Sequence, residues 1–343
     1  MFRFLAVLAL QSLGLAAADN VAGNAGASVG AASPLLSNHN CKLDRTKPTA
    51  PKMSCASNRV RFIVIGDWGE AKDLPAVLAV RDGLLEAAKQ SDFIISVGDN
   101  FYGEGVKDVK DPQWTSTWVN RFKVGKELQL PWLVALGNHD YLGNAQAQID
   151  YSKINSNWIM PERMFTLDVE TTVPARSMLK MVFADTNKWT ASDLPWIQKQ
   201  FDDPAANFVL AVGHHQMRSF GERGDSRDKE MKALNNAMIK SPKVKAYLCG
   251  HEHDMQYARS DNLDYFVIGG GGRDVNKVNN LSHKIRKFFR NPSSDAEGVY
   301  YAVAHGFAVY DVDIVTKTVD ITYMLYEGGS GKKLDSETFS RQY

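Results

Sequence analysis

Val60-Arg61-Phe62-Ile63-Val64-Ile65-Gly66-Asp67-Trp68-Gly69 is the stretch on which the reading of the fold turns. An apolar, β-branched run ends at a glycine and at once delivers a carboxylate, which reads as a strand that stops at Gly66-Asp67. The same event recurs downstream. Phe93 to Val97 is an apolar strand ending at Gly98-Asp99, and Trp132 to Leu136 one ending at Gly137-Asn138. Phe208 to Val212 leads to Gly213-His214, and Val244 to Leu248 leads to Cys249-Gly250-His251-Glu252-His253. Further strands are expected at Met181 to Ala184 and Tyr265 to Ile268. A hairpin is expected from Ala308–Ile314 and Val319–Leu325, turning at Thr316-Lys317. Leu74 to Gln90 has helical spacing of Leu, Val and Ala. Trp114, Trp118 and Phe122 recur every four residues, which predicts a helix over Gln113–Phe122. Strands alternating with helices imply an α/β layered fold with helices outside.

Five strand ends that each deliver Asp, Asn or His are hard to obtain by accident. Strand carboxyl ends are where open α/β sheets build their sites, because neighbouring strands bring those loops together. His251 and His253 are two apart, so both point to one side of a locally extended chain. Carboxylate and phenolate donors suit a hard ion, whereas imidazole and amide donors suit a borderline one such as Zn²⁺ or Fe²⁺. A shared Asp with two ions ~3.5–4 Å apart is an arrangement that clamps a phosphoryl group. Gly98-Asp99-Asn100-Phe101-Tyr102 sets a Tyr three residues after the candidate bridging Asp. Core packing is the alternative role for that Tyr.

Length and composition bound the rest. The chain has 343 residues, of which 44% are hydrophobic and 23% charged, a globular composition that excludes bulk disorder. With 40 Lys+Arg against 39 Asp+Glu there is no electrostatic case for a nucleic-acid partner. Residues 1–18 resemble a signal peptide: Arg3, an apolar run, then Ala16-Ala17-Ala18. No second apolar run of spanning length follows, so no membrane span is expected. Residues 19–58 read as a flexible leader and 59–343 as a single domain. Within the leader, Cys41 and Cys55 are expected to close a disulfide loop in an exported chain, free thiols being the alternative. Cys249 reads as a buried small hydrophobe. Gly269 to Gly272 lacks the Lys and Ser/Thr of a P-loop and reads as a tight turn near the site. Asn280-Leu281-Ser282 is a glycosylation acceptor pattern, and Lys277 to Arg290 an exposed basic segment.

Taken in order, Gly66-Asp67-Trp68-Gly69, Gly98-Asp99-Asn100-Phe101-Tyr102, Gly137-Asn138-His139-Asp140, Gly213-His214 and Gly250-His251-Glu252-His253 resemble the five metal-ligand blocks of the purple acid phosphatases. Longer runs, such as Leu142-Gly143-Asn144, Tyr151-Ser152-Lys153-Ile154 and Cys249 through Tyr257, resemble the small tartrate-resistant type found in mammals. The similarity spans roughly Arg59 to Leu325. It implies a calcineurin-like metallophosphoesterase sandwich of mixed β-sheets flanked by helices. It also implies a binuclear centre of Fe³⁺ with Fe²⁺, Zn²⁺ or Mn²⁺. By position, Asp67, Tyr102 and His253 would hold the ferric ion, Asp99 would bridge, and Asn138, His214 and His251 would hold the divalent ion. His139 matches the family's leaving-group acid, with Asp140 expected to orient its imidazole. The implied reaction is attack of a metal-activated hydroxide on a phosphomonoester, small molecule or phosphoprotein, by a secreted or vacuolar/lysosomal monomer.

Two departures from the family pattern stand out. Nine residues after His214, where the mammalian-type enzymes carry a second active-site histidine, this chain has Arg223, with His215 as an extra imidazole beside the ligand. Arg223 is either a phosphate-binding cation or a solvated loop residue. Between Asp185 and Trp196 only Thr186 to Pro195 intervenes, where the mammalian enzymes carry a long exposed insertion. A phosphodiesterase or nucleotidase on the same fold, and a binding protein on an inactive phosphatase scaffold, are the competing readings. Tyr102 and the tartrate-resistant-type runs weigh against the first, and the full donor set with no expected membrane span against the second.

Overall fold

The computed structural model describes residues 41–172, 176–275, 285–290 and 294–343. The proposed signal peptide, residues 19–40 of the leader and the acceptor Asn280 lie outside them. The strands in chain order are β1 (Lys42–Asp44), β2 (Lys52–Cys55), β3 (Arg59–Ile65), β4 (Phe93–Ser96), β5 (Trp132–Val134), β6 (Trp158–Ile159), β7 (Phe165–Thr171), β8 (Ser177–Phe183) and β9 (Phe208–Val212). They continue with β10 (Val244–Cys249), β11 (Met255–Ser260), β12 (Leu263–Ile268), β13 (Ile285–Arg290), β14 (Glu297–Ala302), β15 (His305–Asp313), β16 (Thr318–Tyr326) and β17 (Glu337–Gln342). The α-helices are α1 (Pro75–Ala88), α2 (Ala145–Tyr151), α3 (Leu194–Phe201) and α4 (Lys229–Lys240).

Two mixed sheets result. One has ten strands in the order β1-β2-β7-β8-β9-β10-β12-β11-β14-β13, the other seven in the order β17-β16-β15-β3-β4-β5-β6. The period of two in each strand decides which layer a side chain enters. In β3, Val60, Phe62 and Val64 join the core between the sheets, while Ile63 and Ile65 face the outer layer. In β9, Phe208, Leu210 and Val212 face the inter-sheet core, and Val209 and Ala211 face the other way. Across the middle, Phe62 stacks on Phe93 and Tyr310 at centroid distances of 4.9 and 5.0 Å. The outer face of the seven-stranded sheet buries Val80 and Leu84 of α1 together with Trp68, Trp118, Trp132 and Trp158. Ile197 and Phe201 of α3 and Leu234 and Met238 of α4 cover the ten-stranded sheet. The α/β sandwich of mixed sheets expected from the sequence is therefore the fold.

Three expectations need correction. Residues 41–58 are not all leader. β1 pairs antiparallel with β2, β2 pairs in parallel with β7, and Cys41 and Cys55 form a disulfide. That bond closes a loop of about 15 residues, worth about 3 kcal/mol in the chain-entropy picture. The segment Trp114–Asn120 is helical but wound as a π-helix, with Trp114 and Trp118 buried side by side. Lys287–Arg290, expected only as an exposed basic segment, is exposed at Phe288 but forms part of an edge strand, since β13 pairs with β14 and Phe289 packs on Phe220 at 4.8 Å.

Strand direction places the functional loops. β3, β4 and β5 run parallel, as do β8, β9, β10 and β12. The carboxyl ends of β3, β4, β5, β9 and β10 lead into the blocks carrying Asp67, Asp99, Asn138, His214 and His251.

Candidate metal centre

Three of the blocks leave their strands through a sharp turn. Asp67, Asp99 and His251 have φ of 56°, 53° and 70°, left-handed values that non-glycine residues rarely adopt. Such strain persists where the surroundings over-determine it, and it clusters at functional sites. The flanking glycines allow close approach. A Cβ on Gly137 would collide with the Asp99 carboxylate, and one on Gly250 with that of Asp67.

Two groups of donors converge between these turns. In the first, Tyr102 Oη lies 3.1 Å from Asp67 Oδ1 and 3.2 Å from His253 Nε2, and His253 Nε2 is 3.3 Å from the same Asp67 oxygen. In the second, His214 Nε2 lies 3.1 Å from Asn138 Oδ1, 3.3 Å from His251 Nδ1 and 3.5 Å from Asp99 Oδ1. Donor atoms of Asp67, Asp99 and His253 fall within 4.8 Å of one another, so Asp99 reaches both groups.

The ring orientations are fixed from behind. His214 Nδ1 is 2.9 Å from the Val97 carbonyl and His253 Nδ1 is 2.9 Å from the Asp274 carbonyl. An Nδ1–H donated to each carbonyl leaves the Nε2 lone pair facing the carboxylates, the usual support of a metal-binding imidazole. Asp67 and Asp99 are 0% and 1% exposed. Among the described residues no Lys or Arg pairs with either; their ion-pair partners are His253 and His214. Two buried carboxylates whose only ion-pair partners are imidazoles are costly without a cation. Carboxylate, phenol, imidazole and amide oxygen together make a donor set that fits metal ions.

Electrostatics agree with that reading. Burial, then the charges of Asp67 and Asp99, push the Tyr102 phenol well above its ordinary value. Burial and the neighbouring His214 hold His251 far below the usual imidazole range, and push His215 down to about 3. Burial works against charge on His253, but the hydrogen bond and charge of Asp67 outweigh it and raise its pKa.

His139 sits beside the centre, its ring 4.5 Å from that of Tyr102 and its backbone N–H donating to Asp99 Oδ1. Its Nδ1 is 2.8 Å from the Gly103 carbonyl, so Asp140 does not orient it. Instead Asp140 is fully buried and accepts from the Gly137 and Asn100 N–H groups and from Gln148 Nε2. Asn100 in turn donates to the Ala135 carbonyl and to Gln148 Oε1. Burial and then the Asp99 charge push Asp140 up to about 7. Asp140 thus braces the loops carrying Asp99 and Asn138 against each other.

Sequence reasoning missed several supports. Thr186 Oγ1 accepts the N–H groups of His214 and His215 and contacts His215 Nδ1 at 3.0 Å. Arg273 lies over the Tyr102 ring at 5.0 Å and pairs with Glu70 at 2.6 Å. It directly follows the Gly269–Gly272 turn, whose Gly269 packs beside Asp67. His215 and Arg223 both line a cavity of about 700 Å³ that opens beside His251.

Comparison with known proteins agrees with this architecture. Residues 60–255 match the calcineurin-like phosphoesterase family. Tartrate-resistant acid phosphatase type 5 of Homo sapiens is 31% identical over 307 residues, covering 80% of this chain and 90% of the relative. Purple acid phosphatase 17 of Arabidopsis thaliana is 30% identical over 286 residues, covering 71% and 81%. Among solved structures, GAP50, the anchor in the inner membrane complex of Plasmodium, superposes with a TM-score of 0.63 at 20% identity, covering 83% of this chain and 90% of that one. A dimetal phosphatase from Danio rerio does so with a TM-score of 0.51 at 12% identity, covering 82% and 99%. Those two likenesses speak for the fold. With the match running over more than half of its residues, and with purple acid phosphatases among its relatives, the chain belongs to the calcineurin-like phosphoesterase family and is a metallophosphatase.

Proposed function

We propose that the protein is an acid phosphatase that hydrolyses phosphomonoesters at a binuclear centre of Fe³⁺ and a divalent ion, Fe²⁺ or Zn²⁺ (Mn²⁺ as a substitute). The observation that carries the reading is the convergence of seven donors into two groups that share Asp99. Asp67, Tyr102 and His253 would hold the ferric ion, Asn138, His214 and His251 the divalent ion, and Asp99 both. When bound, such a pair of cations supplies an activated water and offsets charge on the phosphoryl oxygens.

The chain's own residues do the rest. The Val97 and Asp274 carbonyls keep His214 and His253 in the donor tautomer. An Nδ1–H donated to the Gly103 carbonyl leaves the Nε2 of His139 free to carry the proton for the leaving group. Protonated there, His139 gives its proton to the departing ester oxygen, which would otherwise leave as an alkoxide. Asp140 and Asn100 keep the Asp99 and Asn138 loops in register while this happens.

The same reading includes export after loss of residues 1–18, in keeping with the disulfide between Cys41 and Cys55. No helix among the described residues is long and apolar enough to cross a membrane. The connection from Thr186 to Pro195 offers no long segment for proteolytic activation. Two measurements on one purified sample test the function: metal content per chain, and hydrolysis of 4-nitrophenyl phosphate at acidic pH. About one iron plus one further ion with turnover is expected. A metal-loaded protein without turnover on any phosphomonoester would sink it.

A further inference from the structure

Much of the cavity beside the centre is lined by one segment, with Trp189 and His251 added from other parts of the chain. The chain leaves β9 through His214 and His215, runs to Asp228 and enters α4. His215 and His251 form the wall toward the metal centre, Trp189 and Met231 are apolar lining, and Arg223 and Arg227 both reach the cavity. Trp189 and Met231 are each 4% exposed, so they give a firm surface for the carbon skeleton of a bound molecule.

The charges on this wall are unequal in their commitments. Asp225 accepts from Arg218 Nη1 at 2.8 Å, from the Ser219 N–H at 3.0 Å and from Ser294 Oγ at 2.7 Å. Asp228 caps α4 by accepting the Met231 N–H at 2.9 Å. Glu230 lies in the first turn of that helix, where unpaired N–H groups favour an acid. By contrast, among the described residues no carboxylate lies within ion-pair distance of the Arg223 or Arg227 guanidinium. The backbone that presents Arg223 is nevertheless held. Its N–H donates to Glu252 Oε1 at 2.7 Å, and Gln216 Nε2 donates to the next carbonyl, Gly224, at 3.1 Å. Arg223 is itself exposed, and it lines the cavity together with His215 and His251. Two guanidiniums without a carboxylate partner, lining a cavity beside the candidate metal centre, are suited to bind a carboxylate or phosphate.

We propose that this cavity is the subsite for the alcohol part of the substrate, and that Arg223 and Arg227 select phosphoesters carrying a second anionic group, a carboxylate or a second phosphoryl group. The inference rests on the phosphatase reading for the position of the first phosphoryl group. Apolar contact with Trp189 and Met231 spans the distance between the two anions. Arg223, whose backbone is tied to Glu252 between the candidate ligands His251 and His253, carries more of the selectivity than Arg227.

Equilibrium binding to the metal-loaded protein tests this without relying on turnover. The probes are phenylphosphonate, 3-carboxyphenylphosphonate and benzene-1,3-diphosphonate, titrated calorimetrically at fixed ionic strength. At least one doubly anionic probe should bind about tenfold or more tightly than phenylphosphonate, and the better of the two names the second anion. Arg223→Gln should cut that preference below about threefold, and Arg227→Gln should cut it partway. Arg218→Gln, whose guanidinium pairs with Asp225 and is absent from the cavity wall, should keep the preference. Equal affinity for all three probes overturns the proposal. So does an Arg223→Gln protein that loses phenylphosphonate as steeply as the others, since Arg223 would then hold the transferred phosphoryl group. Hydrolysis of 4-nitrophenyl phosphate is read separately: its absence removes the phosphatase reading while the binding preference still decides the subsite.

Discussion

The two halves of the candidate centre use different chemistry over nearly the same distances. The half built from Asp67, Tyr102 and His253 gathers a carboxylate, a phenol and an imidazole at 3.1 to 3.3 Å from one another. The half built from Asn138, His214 and His251 gathers only neutral donors, at 3.1 and 3.3 Å from His214 Nε2. Asp99 serves both. The Tyr102 phenol, buried beside Asp67 and Asp99, strongly resists ionisation by itself. An ion that binds it as phenolate must offset three negative groups, which favours a trivalent, hard cation. The neutral half with a shared carboxylate asks for no more than a divalent, borderline ion. The comparison teaches that the two halves differ in the charge of their donors rather than in their spacing.

The strongest way to break that picture is to remove what the halves share. Asp99→Ala should abolish binding of both ions and lower turnover by more than about 10³-fold. Metal analysis beside the assay checks it, and two retained ions with near-normal turnover would separate Asp99 from the centre. Next in size is His139→Ala, which removes no donor from either half. Both ions should stay, while alkyl phosphates lose about 10²–10⁴-fold in turnover and aryl phosphates, with better leaving oxygens, lose less. Equal losses on the two substrate types would take the acid role from His139. A smaller, one-sided effect is expected from Thr186→Val, which deletes the oxygen accepting the His214 and His215 N–H groups. Affinity for the divalent ion should fall about 10–100-fold with iron retained. Equal loss of both metals would mean that the halves do not come apart as argued.

Legibility in the sequence followed the same division between donors and their supports. The strands ending in a glycine and a polar residue were readable because an apolar run must stop where a donor begins. Asp67, Asp99, Asn138, His214 and His251 could therefore be picked out one by one. What holds them was not readable. The carbonyls of Val97, Gly103 and Asp274 carry no side-chain signature, yet they set three imidazoles. Asp140 was misjudged from adjacency: His139 and Asp140 enter a short 3₁₀ turn, where consecutive side chains point to different sides. The early strands were hidden for another reason. β1 and β2 are three and four residues long, polar in sequence, and ordered by pairing with each other and with the distant β7. No local pattern predicts a partner more than a hundred residues away.

Tyr102→Phe should have the smallest effect on rate and the sharpest meaning. A phenolate on Fe³⁺ gives a charge-transfer band in the visible, so the iron-loaded protein is expected to be pink to purple. Among the ligand blocks only this one contains a Tyr. Phe keeps the ring that packs against His139 at 4.5 Å and lies under Arg273 at 5.0 Å, so the fold is expected to survive. It loses only the oxygen that meets Asp67 and His253. Asp67, Asp99 and His253 still present three donors, and the phenolate neither attacks nor leaves. Turnover should fall by less than about tenfold while the colour disappears. Replacing one anionic donor by none also leaves less charge for the cation to offset, so the preference of this half for Fe³⁺ over Zn²⁺ should shrink in the same variant. An iron-loaded wild type without the band, or a variant that keeps it, would remove the phenolate from the ferric side and leave both halves to divalent ions.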